Sequence, residues 1–131
     1  MTRKETMNKL FKLHGLVSED VHHHQHYTII TRSGIDKLQA SIGISISYDV
    51  IKCEPKFAVI KANASLGDVK LQTFASALKG TNFKDGSTNS WYVMEIAEKR
   101  AMSRAVLKLA GLYQLKVFAE DESEQFKIKK N

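Results

Sequence analysis

The sequence predicts an α+β fold: a three-stranded antiparallel β-meander packed on a long C-terminal α-helix, a β-β-β-α core, with short N-terminal helical elements. Three observations carry this expectation. From Ile44 to Ala77, apolar and polar residues alternate with a period of two in three successive runs, the pattern of half-buried strands. Only short turn-forming stretches separate the runs, so the strands are antiparallel neighbours rather than parallel ones that need a crossover. After an interruption rich in Gly, Asn and Ser, the stretch from Trp91 to Ala110 carries an apolar stripe at helical spacing. At 131 residues the chain has the length of one domain, enough to bury such a sheet under two or three helices.

The elements follow in order. Lys4 to His14 places Met7, Leu10, Phe11 and His14 on one side of a short amphipathic helix with a basic outer side. The polar stretch through Ser18-Glu19-Asp20 and His22, His23, His24 and His26 reads as a loop or a strand lead-in. Tyr27-Thr28-Ile29-Ile30-Thr31 is β-branched and aromatic, hence a strand. Ser33 with Asp36 three residues on has the form of a capping box. The helix that follows has Ile35, Leu38 and Ile42 on one face and Gly43 at its end.

In the first alternating run Ile44, Ile46, Tyr48 and Val50 oppose Ser45, Ser47 and Asp49. Beyond a turn at Glu54-Pro55-Lys56, Ala58, Ile60, Ala62 and Ala64 oppose Lys61, Asn63 and Ser65. Gly67-Asp68 has the form of a two-residue hairpin turn. In the third run Val69, Leu71, Thr73, Ala75 and Ala77 oppose Lys70, Gln72 and Ser76, and Phe74 interrupts the polar side. The apolar face of this meander needs a cover. The long helix supplies it through Met94, Ala97, Ala101, Ala105 and Leu109, with Asn89 or Ser90 as N-cap and Gly111 as the stop. The glycine-bearing stretch Lys79 to Asn89 reads as a mobile surface loop. Residues 1–113 are expected to form a single domain, and 114–131 a charged, flexible tail.

Composition narrows the function. Hydrophobic residues are 43% and charged residues 26% of the chain, as in ordinary globular proteins. No apolar run approaches the roughly 20 residues of a membrane span, and the N-terminus lacks a signal-peptide pattern. A single cysteine, Cys53, leaves no intramolecular disulfide. A cytoplasmic protein without membrane contact is the expectation. The net charge of +6 points to a polyanionic partner, because clustered Lys and Arg displace counterions from phosphates.

Arg100, Arg104 and Lys108 recur at i, i+4, i+8 on the long helix, a ridge that matches phosphates along a strand, with Lys99 on another side. A solvated face with a Glu95–Lys99 pair is the competing reading. Lys61 and Lys70 lie on the wet side of the meander. Trp91, with Tyr92, stands at the helix start either as a base-stacking residue or as a core anchor. The histidines would line up only in an extended strand and have no cysteine beside them, so no metal site is expected. Asp49 and Glu54-Pro55-Lys56 have the acid-x-Lys form of a metal-dependent nuclease, but the two carboxylates stand five positions apart, at the edge of a proline turn. No phosphate loop, dinucleotide motif or activated nucleophile is present. The chain is therefore expected to have neither catalytic centre nor cofactor.

The segment Ala97-Glu98-Lys99-Arg100-Ala101-Met102-Ser103-Arg104-Ala105 through Gly111 resembles the "A-E-x-R-A-x-x-R-A-L…-G" helix of single-strand annealing proteins. These are the phage Erf and Sak types and, more distantly, the eukaryotic annealing mediator of recombination. Thr31-Arg32-Ser33-Gly34-Ile35-Asp36-Lys37-Leu38 resembles the family's "T-x-x-G-x-x-x-L" helix start, and the likeness spans Tyr27 to Tyr113. It implies ATP-independent binding of single-stranded DNA in a basic groove, bases outward, and annealing of complementary strands in recombination and repair. It further implies a homo-oligomeric ring or filament and recombination proteins of host or phage as partners. Lys99, Arg100 and Arg104 fall on motif positions. Ser103 departs from the glycine often found before the second arginine, and the C-terminal region is short. The alternative is a nucleic-acid-binding or regulatory module that does not anneal.

Overall fold

The computed structural model describes residues 2–80, 86, 88 and 90–122. Helix α1 (Arg3–Leu13) buries Met7 and Phe11. A 3-10 turn leads into β1 (Val21–His23), then β2 (Thr28–Ile30) and α2 (Arg32–Ile42) follow. The alternating region forms β3 (Ser45–Glu54), β4 (Phe57–Leu66) and β5 (Val69–Leu78), an antiparallel sheet in the order β3-β4-β5. The long helix is α3 (Val93–Leu109), and β6 (Val117–Ala119) comes after it. The class is α+β, as the periodicities require.

Register explains which side of the β3-β4-β5 sheet is dry. Ala62 lies between Tyr48 and Thr73, and Ile60 between Val50 and Ala75. Residues paired in this way share a face, so Ala58, Ile60, Ala62, Ala64, Ala75 and Ala77 form one buried surface. Helix α3 lies on it with Ala97, Ala101 and Ala105, all without exposed surface. Small residues on both partners bring helix backbone and sheet close together, close enough for the buried Thr73 hydroxyl to donate to the Ala101 carbonyl at 2.6 Å. Gly67 has φ +59, a left-handed conformation that glycine enters without a Cβ penalty, so the tight turn falls where its residue types place it. A register shift between Val50 and Lys52 marks a bulge at Ile51.

A second sheet was not expected from the sequence. Its order is β1-β2-β6, with β2 antiparallel to β1 and parallel to β6. The long helix is therefore not the last element, and the boundary placed after residue 113 is corrected. Val117 and Ala119 are fully buried. The following turn is anchored through Asp121, whose carboxylate accepts from Ser103 Oγ at 2.8 Å and whose carbonyl accepts from Arg100 Nε at 3.0 Å. The Glu120 carboxylate accepts from the backbone N–H of Arg32 at 2.7 Å, an anion at a helix N-terminus. A three-residue strand carries no periodicity, and its partner is far away in sequence, so no local signal marks it. The remainder of the expected tail, 123–131, lies outside the described residues.

Two helix starts also differ from expectation. Thr31, not Ser33, caps α2, its hydroxyl accepting from the Gly34 N–H at 3.2 Å. Gly34 is required by packing, since a Cβ there would collide with Ile30 Cγ2. Gly43 ends the helix with φ +85, as predicted. Helix α3 begins at Val93, with Tyr92 as an N-cap that offers no side-chain bond. Ser90 Oγ accepts instead from the Tyr92 N–H at 3.1 Å, while Asn89 and most of the expected loop lie outside the described residues. Buried Asp20 ties the early turn to α2 by accepting from Lys37 Nζ at 2.6 Å and from the Val17 N–H at 3.0 Å. The Lys37 hydrogen bond, followed by that from Val17, holds its carboxyl below the ordinary aspartate value. Among the described residues no helix is long and apolar enough to cross a membrane.

Candidate nucleic-acid interface

The expected ridge on α3 is not a row of solvent-facing cations. Arg100 is only 2% exposed; its Nη1 donates to the Ser76 carbonyl at 3.1 Å, in addition to the Asp121 bond. Arg104 Nη1 donates to the Phe74 carbonyl at 2.7 Å. In the β4-β5 register, the backbone groups of Phe74 and Ser76 point away from β4. The two arginines reach round from the helix and cap carbonyls along the free edge of β5, and the Leu78 carbonyl on the same edge accepts from the Thr88 N–H at 3.2 Å. Lys108 is drawn to a different surface, over the Tyr113 ring at 5.4 Å. Lys99 is exposed.

The outer face of the β3-β4-β5 sheet is uncovered by any described element. It presents Lys61 and Lys70, as alternation placed them, together with Ser45, Ser47, Asn63, Gln72 and the exposed Phe74. Lys61 pairs with Asp49 at 3.4 Å. A polar ladder crosses all three strands: Gln72 Nε2 donates to Asn63 Oδ1 at 3.1 Å, and Asn63 Nδ2 donates to Asp49 Oδ2 at 2.9 Å. The Asn63 amide, with Lys61 beside it, keeps the Asp49 carboxyl below its ordinary value. Asp49 therefore stays ionised at neutral pH and offsets Lys61. Over Ser47, Asn63, Ser65, Lys70 and Gln72 the face forms a shallow hollow of about 570 Å³.

At one end of this sheet an aromatic and basic cluster forms. Trp91 and Tyr92 are 63% and 69% exposed, so Trp91 is not a core anchor. Lys79 Nζ lies 4.3 Å from the centroid of the Trp91 ring and Lys56 Nζ 6.0 Å, a cation on an aromatic face. The backbone joins the two lysines, because the Lys79 N–H donates to the Lys56 carbonyl at 2.7 Å. Nearby on the hairpin, Lys52 Nζ lies 5.9 Å from the Phe57 centroid. Sequence reading missed Lys52, Lys56 and Lys79. Their meeting depends on a hairpin turn and the end of β5 lying side by side, which only the register discloses.

The remaining candidates are dispersed. His22 and His23 lie in β1, His23 Nδ1 is 3.2 Å from Thr28 Oγ1, and His24 stacks on Tyr27 with ring centroids 4.6 Å apart. Tyr27 meets Phe118 and Phe118 meets Tyr113 edge to face, which places the histidine stretch at the end of an aromatic row. Among the described residues, no group of three His, Cys, Asp or Glu side chains is positioned to hold a metal ion. Glu54 is 3.8 Å from Lys52, and Asp49 is engaged with Asn63 and Lys61, each carboxylate within its own polar pair. No family model matches the chain, no curated protein matches its sequence, and no solved structure matches its fold.

Proposed function

We propose that this protein binds single-stranded DNA and anneals complementary strands without ATP, in homologous recombination and repair. The observation that carries the reading is an exposed Trp91 with Lys79 and Lys56 close to its ring, at the end of a sheet whose outer face bears lysines. Single strands are held by this combination: stacking serves every base, and cations follow the backbone. The β3-β4-β5-α3 unit corresponds to the β-β-β-α core that the resemblance implies. On this reading the protein works in the cytoplasm as a homo-oligomer, ring or filament, alongside recombination proteins, and performs no catalysis. The site moves from the α3 ridge to the sheet and its lysine-rich end.

The test is the rate at which two complementary fluorescent oligonucleotides pair in EDTA without ATP. Acceleration well above the spontaneous rate is expected, and Trp91→Ala should lose roughly 5- to 100-fold in strand affinity, the effect of one lost stacking contact. Strand binding without acceleration would favour a module that binds but does not anneal. The burial of Arg100 favours that second reading, because a motif residue is then accounted for by folding alone.

A further inference from the structure

Phe74 stands where the alternation of β5 places a polar residue. It is 52% exposed on the outer face, and its ring contributes nothing to the buried clusters. By register Val59, Phe57 and the exposed Leu78 share this face with it, and a contiguous apolar surface on an uncovered sheet marks an interaction site. Lys61 is its direct cross-strand neighbour on β4. Lys70 lies on the same side of β5, four residues or about 13 Å away, and makes no ion pair among the described residues. Between them, Gln72 turns its amide nitrogen into the ladder with Asn63, which leaves its oxygen available to accept.

We propose that the outer face of the β3-β4-β5 sheet is a platform for unpaired bases, with Phe74 as the stacking surface, Lys61 and Lys70 as phosphate partners, and Gln72 as an acceptor for a base N–H. This rests on the nucleic-acid reading above and adds a second stacking position, at a distance from Trp91, that selects against duplex. A paired base keeps both faces inside its own stack and cannot lie on a flat sheet. Charge fits the occupant: with Lys52, Lys56 and Lys79 at the end of the sheet, cations outnumber the acids Asp49, Glu54 and Asp68. Such a surface attracts phosphate and opposes a second copy of the same basic sheet.

Fluorescence anisotropy of labelled oligothymidine, an abasic strand of equal length and a duplex, each with wild type, Phe74→Ala and Phe74→Trp, tests the platform. Phe74→Ala should weaken oligothymidine binding about 5- to 100-fold without changing the salt slope or the already weaker binding of the abasic strand. Phe74→Trp should bind oligothymidine at least as tightly as wild type. Unchanged oligothymidine binding by Phe74→Ala would overturn the platform and leave the nucleic-acid reading standing. An equal loss on the abasic strand, or a matching loss in Phe74→Trp, would overturn it in favour of a structural role. A smaller sedimenting species with unaltered strand affinity would overturn it in favour of a contact between copies. Wild type that binds no strand would overturn both readings.

Discussion

Arg100 joins three parts of the molecule through one planar group: helix α3, which carries it, the edge of β5 at Ser76 and the final turn at Asp121. Hydrogen bonds from a charged donor contribute about 1.5–3 kcal/mol each, and removing a buried donor leaves its carbonyls unsatisfied. Arg100→Ala is expected to lower stability by about 2–4 kcal/mol, read as a lower urea midpoint at unchanged slope. Arg104, half-buried with its bond to Phe74, should cost less, about 1 kcal/mol. If both variants unfold with the wild-type midpoint, the edge-capping account is wrong. Sequence spacing correctly aligned these cations but could not show their direction. A guanidinium long enough to reach solvent is also long enough to reach a neighbouring strand.

For the elements, the alanine seam between α3 and the sheet is the feature most exposed to disruption. Ala101 has no exposed surface and belongs to one buried cluster with Ala58, Ala62, Ala75 and Ala97, and the Thr73 hydroxyl reaches its carbonyl. Ala101→Leu should destabilise by about 1–3 kcal/mol or more through overpacking, measured by thermal melting. A variant as stable as wild type would mean that the helix stands further from the sheet than described. The three strands of this sheet and both its hairpin turns were legible because a period of two and turn-forming residues are local facts. The start of α2 was misplaced by two residues because Thr31 and Ser33 are both competent caps. Close packing of Gly34 on Ile30 selects between them, and no local pattern carries that. The lysine pair around Trp91 was illegible for a similar reason, since Lys56 and Lys79 meet only through strand register.

At the scale of the whole molecule, the chain after Tyr113 completes the second sheet. Truncation after residue 113 removes buried Val117 and Ala119, the Asp121 anchor of Ser103 and the Glu120 contact with α2. Such a fragment should lose cooperative unfolding or melt far below the full chain. A fragment with unchanged melting and strand binding would show that β6 is dispensable.

The two rims of the β3-β4-β5 sheet are unlike. That of β5 is sealed at Phe74, Ser76 and Leu78 by side chains and loop. On β3, the groups of Ile46, Tyr48 and Val50 turn away from β4 and meet no described backbone partner. In the language of polymer growth, the sheet has one full valence and a truncated second. Strand addition could join two copies through their β3 rims, and the β5 rim would then still offer only the short outward-facing stretch at Lys70 and Gln72. Any larger closed or open assembly would have to be built from that short stretch or from contacts other than backbone pairing of this sheet, and a second rim so largely capped disfavours growth of a chain with a long strand at its border into a fibre.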